Sequence, residues 1–199
     1  MSPQPGTARG RATKEHIVDV AAELMHAHGV NATSLDQILA VSGTGKSQMY
    51  HYFSTKADLV EAVVRRQLER VLAEQRRFDI ATWAGIERWL DAMLHAHEER
   101  GFRRGCPLGS IVAEVVNRDE RLRVVAAEAF STMEASLATG LAAMQERGEL
   151  RGDADVRCLA EEATATIQGG YLLSTVKREA QPMRRALDAV VERLVTYTA

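Results

Sequence analysis

A chain of 199 residues that is 46% apolar and 26% charged can bury one large core or two small ones, and no run of 18 apolar residues suggests a membrane span. The formal net charge of −2 argues against a basic coat for wholesale nucleic-acid packing. Charge is uneven, however: Lys and Arg outnumber Asp and Glu 10 to 8 in residues 1–77 and are outnumbered 15 to 19 beyond them, which suits a nucleic-acid end and an acidic body. Cys106 and Cys158 form neither a disulfide framework nor a Cys-x-x-Cys pair, and the polar N-terminus lacks a hydrophobic signal core. A cytoplasmic protein without a membrane role is therefore expected.

In chain order, residues 1–12 have no periodic apolar pattern and are expected to be a flexible arm carrying Arg9 and Arg11. Thr13 can cap a first helix with Ile17, Ala21, Leu24 and Met25 on one face, stopped at Gly29 by a left-handed residue. Thr33-Ser34, with Asp36 and Gln37 three residues on from each, opens a short helix to about Val41. Gly43 breaks it. Thr44 can cap a third helix bearing Met49, Tyr50 and Phe53, and Ser54-Thr55 opens a fourth that extends toward Arg77. Two short helices across a Gly-containing turn make a helix-turn-helix shape.

Longer amphipathic helices follow. One covers roughly 82–100 with Ile86, Leu90, Met93 and His97 aligned; after "GFRRGCPLG" another covers about 109–117; a third runs over 119–147. Val156 to about Lys177 and a last helix from Pro182 complete the pattern. The expected fold class is all-α: a three-helix head at 13–56, a connecting helix at 57–77 and a helical bundle at 78–199, with about nine helices.

The stretch "GTGKS" at 43–47 resembles the end of a phosphate-binding loop, but Ala40 stands where that motif needs its first glycine, and helix-periodic "TSLDQILAV" stands where it needs a strand. As a helix, "TGKSQMYHYF" turns Met49 and Phe53 inward and leaves Thr44, Lys46, Ser47, Gln48, Tyr50, His51 and Tyr52 on the surface. Gln can pair with adenine edges, Lys with guanine, and hydroxyls with bases or phosphates, a set suited to a recognition helix. Lys56, in the first turn of the next helix, is placed to meet a phosphate.

The ordered run from Leu24 to Val63, with Gly29, Thr33-Ser34, Ile38, Gly43, Tyr50, Phe53 and Lys56-x-x-Leu59, closely resembles the DNA-binding domain of TetR-family transcriptional regulators. That resemblance implies a homodimer paired through its last two helices, a C-terminal domain that binds a small molecule, and a role as a sequence-specific, ligand-responsive repressor acting on a palindromic double-stranded operator. It assigns DNA contacts to Thr33, Ser34, Thr44, Lys46, Ser47, Gln48, Tyr50, His51, Tyr52 and Lys56. "GCPLGSIVAEV" at 105–115 further resembles the LmrA/YxaF-type subset of the family.

For the effector, hydrophobic or aromatic in character, Trp89, Met93, Phe102, Met133, Met144 and Tyr171 are candidate walls, with His97 and Gln168 as polar handles; a stripe of this kind equally makes an ordinary core. Gly169-Gly170 inside a helix suggests a close backbone approach at a pairing surface, or a kink. His95 and His97 point to nearly opposite sides of their helix, so neither a metal nor a cofactor is expected, and no catalytic motif suggests an enzyme. The competing readings are a nucleotide-binding enzyme using GTGKS and a helical protein-interaction module.

Overall fold

The computed structural model describes residues 7–199. Among them the chain forms nine α-helices and no strand, as the all-α expectation requires: α1 (Ala8–His28), α2 (Leu35–Ser42), α3 (Lys46–Tyr52), α4 (Lys56–Gln75), α5 (Trp83–Glu99), α6 (Pro107–Val115), α7 (Glu120–Glu146), α8 (Val156–Lys177) and α9 (Gln181–Val195).

The first helix corrects one expectation. Thr7, not Thr13, is its N-cap, and its side chain accepts from the Gly10 amide at 3.1 Å. Thr13 lies inside the helix and donates its hydroxyl to the Arg9 carbonyl at 3.0 Å. Arg9 and Arg11 are therefore exposed residues of α1 rather than of an arm; the rest of that proposed arm, residues 1–6, lies outside the described residues. At the other end Gly29 has the expected positive φ of 90°, but its ψ of 154° is extended, so the chain leaves the helix abruptly.

Two compact units divide the chain. The first comprises residues up to Arg70 together with Pro107–Ala129. Here α1 packs on α2, α3 and α6. Its core includes Ile17, Ala21 and Met25 of α1, Ile38 of α2, Met49 of α3 with Phe53 just past its end, Leu59 and Val63 of α4, and Leu108 and Ile111 of α6. Each of these side chains larger than alanine contributes about 1.5–3 kcal/mol when fully withdrawn from water. Asp19 of α1 accepts from Arg66 at 2.7 Å and Arg70 at 3.0 Å of α4. Burial pushes the Asp19 carboxyl up, but these guanidinium groups outweigh it and hold it below the ordinary carboxylate range.

The second unit comprises Val71–Cys106 and Phe130–Ala199. The sequence expectation placed 78–199 in one domain, whereas α6 and the first part of α7 group with the N-terminal residues. In the second unit α8 packs along α9, which also touches α5. The core runs through Ile86, Leu90 and Leu94, Leu141 and Met144, Leu159, Ala163 and Ile167, and Met183, Leu187, Val190 and Leu194. Gly170 belongs to this intrachain packing: a Cβ there would lie 2.7 Å from the Ala186 Cβ and 3.0 Å from the Met183 sulfur. Of the Gly169-Gly170 pair, only Gly169 has open space beside it.

Candidate nucleic-acid interface

The head is built by local rules. Ser34 caps α2 through a reciprocal box, accepting from the Gln37 amide at 3.1 Å while its own amide donates to the Gln37 side chain at 2.8 Å. Gly43 ends α2 with φ 62° and ψ 19°, a left-handed conformation that glycine adopts without a Cβ penalty. After this turn α3 begins. Its N-cap is Gly45, which offers no side-chain cap; Thr44 instead shares a hydroxyl hydrogen bond with Ser42.

At about 100° per residue, the faces of α3 separate by burial. Met49 and Tyr52 are buried, with Phe53 beyond the helix end. Lys46, Ser47, Tyr50 and His51 form a continuous exposed arc, and Gln48, also exposed, lies at its rim beside the buried side. Val41 at the end of α2 adds an exposed apolar side chain, 62% accessible, that the sequence reading did not single out.

Three of the sequence-assigned contacts lie elsewhere than expected. Thr33 is buried and donates its hydroxyl to the Gly29 carbonyl at 2.8 Å. Tyr52 is only 6% exposed, its ring set edge-on to both His51 and Phe53. Lys56 is half-buried, and its Nζ donates to the Val30 carbonyl at 2.6 Å and the Thr33 carbonyl at 2.7 Å. It holds the turn between α1 and α2 by its carbonyls.

The same turn is held by its amides from α6. The Glu114 carboxylate accepts from the backbone amides of Val30 and Asn31, both at 3.1 Å, and from the Asn31 side-chain amide at 2.9 Å. Arg118 donates to the Asn31 side-chain oxygen. At the start of α4, Thr55 and Asp58 cap each other, and Arg121 donates to Asp58 at 2.9 Å. Burial raises the Asp58 carboxyl, but the Arg121 and Thr55 hydrogen bonds overcome this and leave it below its usual range. Sequence reasoning missed Glu114, because residues 84 positions apart carry no local signal of contact.

In the second unit, three of the candidate ligand residues come together. The ring of the fully buried His97 meets Phe102 edge-on at 5.3 Å between centroids and Tyr171 at 5.0 Å. Burial, reinforced by the Arg100 and Arg178 charges, lowers the His97 pKa to about 4, so the imidazole is neutral at pH 7. Met144 is wholly enclosed in the core, while Trp89, Met93, Met133 and Gln168 are half-buried. No group of three or more His, Cys, Asp or Glu among the described residues is placed to hold a metal ion; His95 instead faces Glu99 at 3.4 Å. No helix among them is long and apolar enough to cross a membrane.

A helix-turn-helix whose second helix presents a polar arc on an apolar anchor defines a DNA-binding regulator, and GTGKS, running from the turn after α2 into the first residues of α3, lacks the strand of a phosphate-binding loop. The chain belongs to the TetR family. Residues 17–63 match the bacterial regulatory proteins of the tetR family, and residues 83–190 match the tetracycline repressor-like C-terminal domain. It is 30% identical over 138 residues to an HTH-type transcriptional regulator in the lacX 3' region of Lactococcus lactis, covering 67% of this chain and 70% of that one. It is 27% identical to the HTH-type regulator YxaF of Bacillus subtilis, covering 89% and 92% respectively, in keeping with the subset that 105–115 resembles. The fold is shared with the regulatory protein TetR from Rhodobacter sphaeroides, with a TM-score of 0.79 at 21% identity over 89% of this chain and 96% of that one. The chain is thus a helix-turn-helix transcriptional regulator of a family that binds operator DNA and small molecules and is typically dimeric.

Proposed function

We propose that this regulator is a repressor that binds a palindromic operator as a homodimer and leaves it when a small molecule binds the second unit. The observation that carries the DNA-binding part is the exposed arc of α3, with Lys46, Ser47, Tyr50 and His51 held outward by the buried Met49 and Tyr52. In the major groove Lys46 and Tyr50 meet phosphates or guanine edges, Ser47 and His51 meet bases, Gln48 reads an adjacent base from the rim, and Val41 packs on a thymine methyl. Ser34 contributes through the helix start it caps, and Thr44 through the hydroxyl bond to Ser42 that braces the turn. Arg9 and Arg11, exposed on the first turns of α1, add charge toward the backbone.

Release follows if the effector prefers a head spacing that no longer fits two half-sites, which requires it to bind the two states with different affinity. The test is a mobility-shift assay of the full chain with DNA flanking its own gene. A specific band is expected, unchanged by ATP and Mg²⁺. The Gln48→Ala variant is expected to relax preference at one position of each half-site, and Lys46→Ala to weaken all sequences with a salt slope lower by about one. Binding that is indifferent to sequence in the parent chain would remove the operator reading.

A further inference from the structure

At the C-terminal end of α5 the second unit gathers polar groups that the fold itself does not use. Both ring nitrogens of His97 are buried with no hydrogen-bond partner among the described residues, and so are Arg100 Nε and Thr175 Oγ1. Thr175 lies one turn beyond Tyr171 on α8, and its hydroxyl is 3.6 Å from where a Cβ on Gly105 would sit. A buried polar atom without a partner destabilises the fold that holds it, so four in one neighbourhood are not a neutral feature of a core.

The loop closing this neighbourhood is strained as well. Phe102 has φ 53° and Arg104 φ 71°, both left-handed for residues that carry a Cβ, between Gly101 and Gly105, each at 60°. Phe102 is held there from both sides: its amide donates to the His97 carbonyl at 3.0 Å, and its carbonyl accepts from Arg178 at 2.8 Å. Strain of this kind collects where a loop must move or grip.

The chemistry favours one class of occupant. By atoms there are three donors, the one N–H of a neutral imidazole, Arg100 Nε and the Thr175 hydroxyl, against two acceptors, the bare imidazole nitrogen and the same hydroxyl. The Arg100 and Arg178 guanidinium groups add positive charge, while the nearby Glu98 is engaged by Arg184 at 2.8 Å and Glu99 faces His95. Tyr171 and Phe102 present aromatic surface. We propose that His97, Arg100 and Thr175 form the head-group site for the effector, and that the effector is a compact apolar molecule bearing a carboxylate. The carboxylate accepts from the three donors, and Phe102 is the wall that shifts to admit the apolar body. This rests on the reading that the second unit senses a small molecule.

The experiment uses the full chain with ¹⁵N-labelled histidine. The probes are four carboxylates (benzoate, phenylacetate, cyclohexanecarboxylate and octanoate) and their primary amides, followed by the His97 ring resonances and by melting temperature. At least one carboxylate is expected to move the His97 resonances and raise the melting temperature, with its amide binding about ten-fold or more weakly. Arg100→Gln is expected to erase that preference while the variant still melts cooperatively, and Arg100→Lys to restore part of it. The proposal is overturned if no carboxylate moves the His97 resonances, if acid and amide bind alike, or if Arg100→Gln leaves the preference intact. The wider reading fails separately: operator binding that no compound relieves removes ligand-controlled repression, whereas release by a neutral compound with His97 silent keeps it and removes this site.

Discussion

Lys56 commits two of its three N–H donors to the carbonyls of Val30 and Thr33, so its charge acts first on the turn that launches α2. This separates two roles that its position in the first turn of α4 leaves open. A direct phosphate contact predicts that Lys56→Met lowers the salt slope of operator binding by about one without touching stability. A positioning role predicts the reverse. We expect Lys56→Met to lower stability by about 1–3 kcal/mol through two stranded carbonyls, and to weaken all DNA sequences with the salt slope unchanged. Thermal melts and binding at several salt concentrations decide between them. Residue types at α3 were legible in the sequence, since Met49 and Phe53 announced the anchor and the polar residues the arc. The fates of Thr33, Tyr52 and Lys56 were not, because a hydroxyl, a phenol and an ammonium on a short helix suit either a groove or a carbonyl, and only tertiary neighbours choose.

At the scale of elements, α8 and α9 show how a small residue divides its work by facing. Gly170 lets α9 approach so closely that a Cβ would meet Ala186 and Met183, whereas nothing lies within 4 Å of a Cβ on Gly169. Gly170→Ala is therefore expected to lower the melting temperature, by overpacking worth about 1–3 kcal/mol. Gly169→Ala is expected to leave it unchanged or raise it, since alanine is the better helix former. Equal effects from the two variants would refute this division. The sequence marked the pair as a close approach or a kink, without saying which glycine would make it. Helix boundaries were legible to within a few residues except at the first helix, whose start was read at Thr13 and lies at Thr7: an internal threonine can bond its own helix four residues back, so a hydroxyl alone does not mark a start. The contact of α6 with the α1–α2 turn had no local signature at all.

At the scale of the whole molecule, the exposed apolar residues of α8 call for a partner. Leu172, Leu173 and Val176 are 62%, 49% and 70% accessible, and Gly169 shares their side of the helix at spacings of three, four and seven. Such a stripe in water is the mark of an interaction surface. On the operator reading proposed above, a second copy of the chain is the occupant, because one head alone would read only one of two half-sites. Leu172→Glu combined with Val176→Glu places like charges across a two-fold interface, and we expect the double variant to sediment as a monomer. The substituted positions are exposed, so the helical signal is expected to persist. Operator affinity should then fall steeply and lose its dependence on half-site spacing, while a single half-site is bound no worse than by the parent chain. A variant that remains dimeric would move the interface away from this stripe. A monomer that still distinguishes half-site spacings would show that the two heads are coupled through DNA rather than through α8.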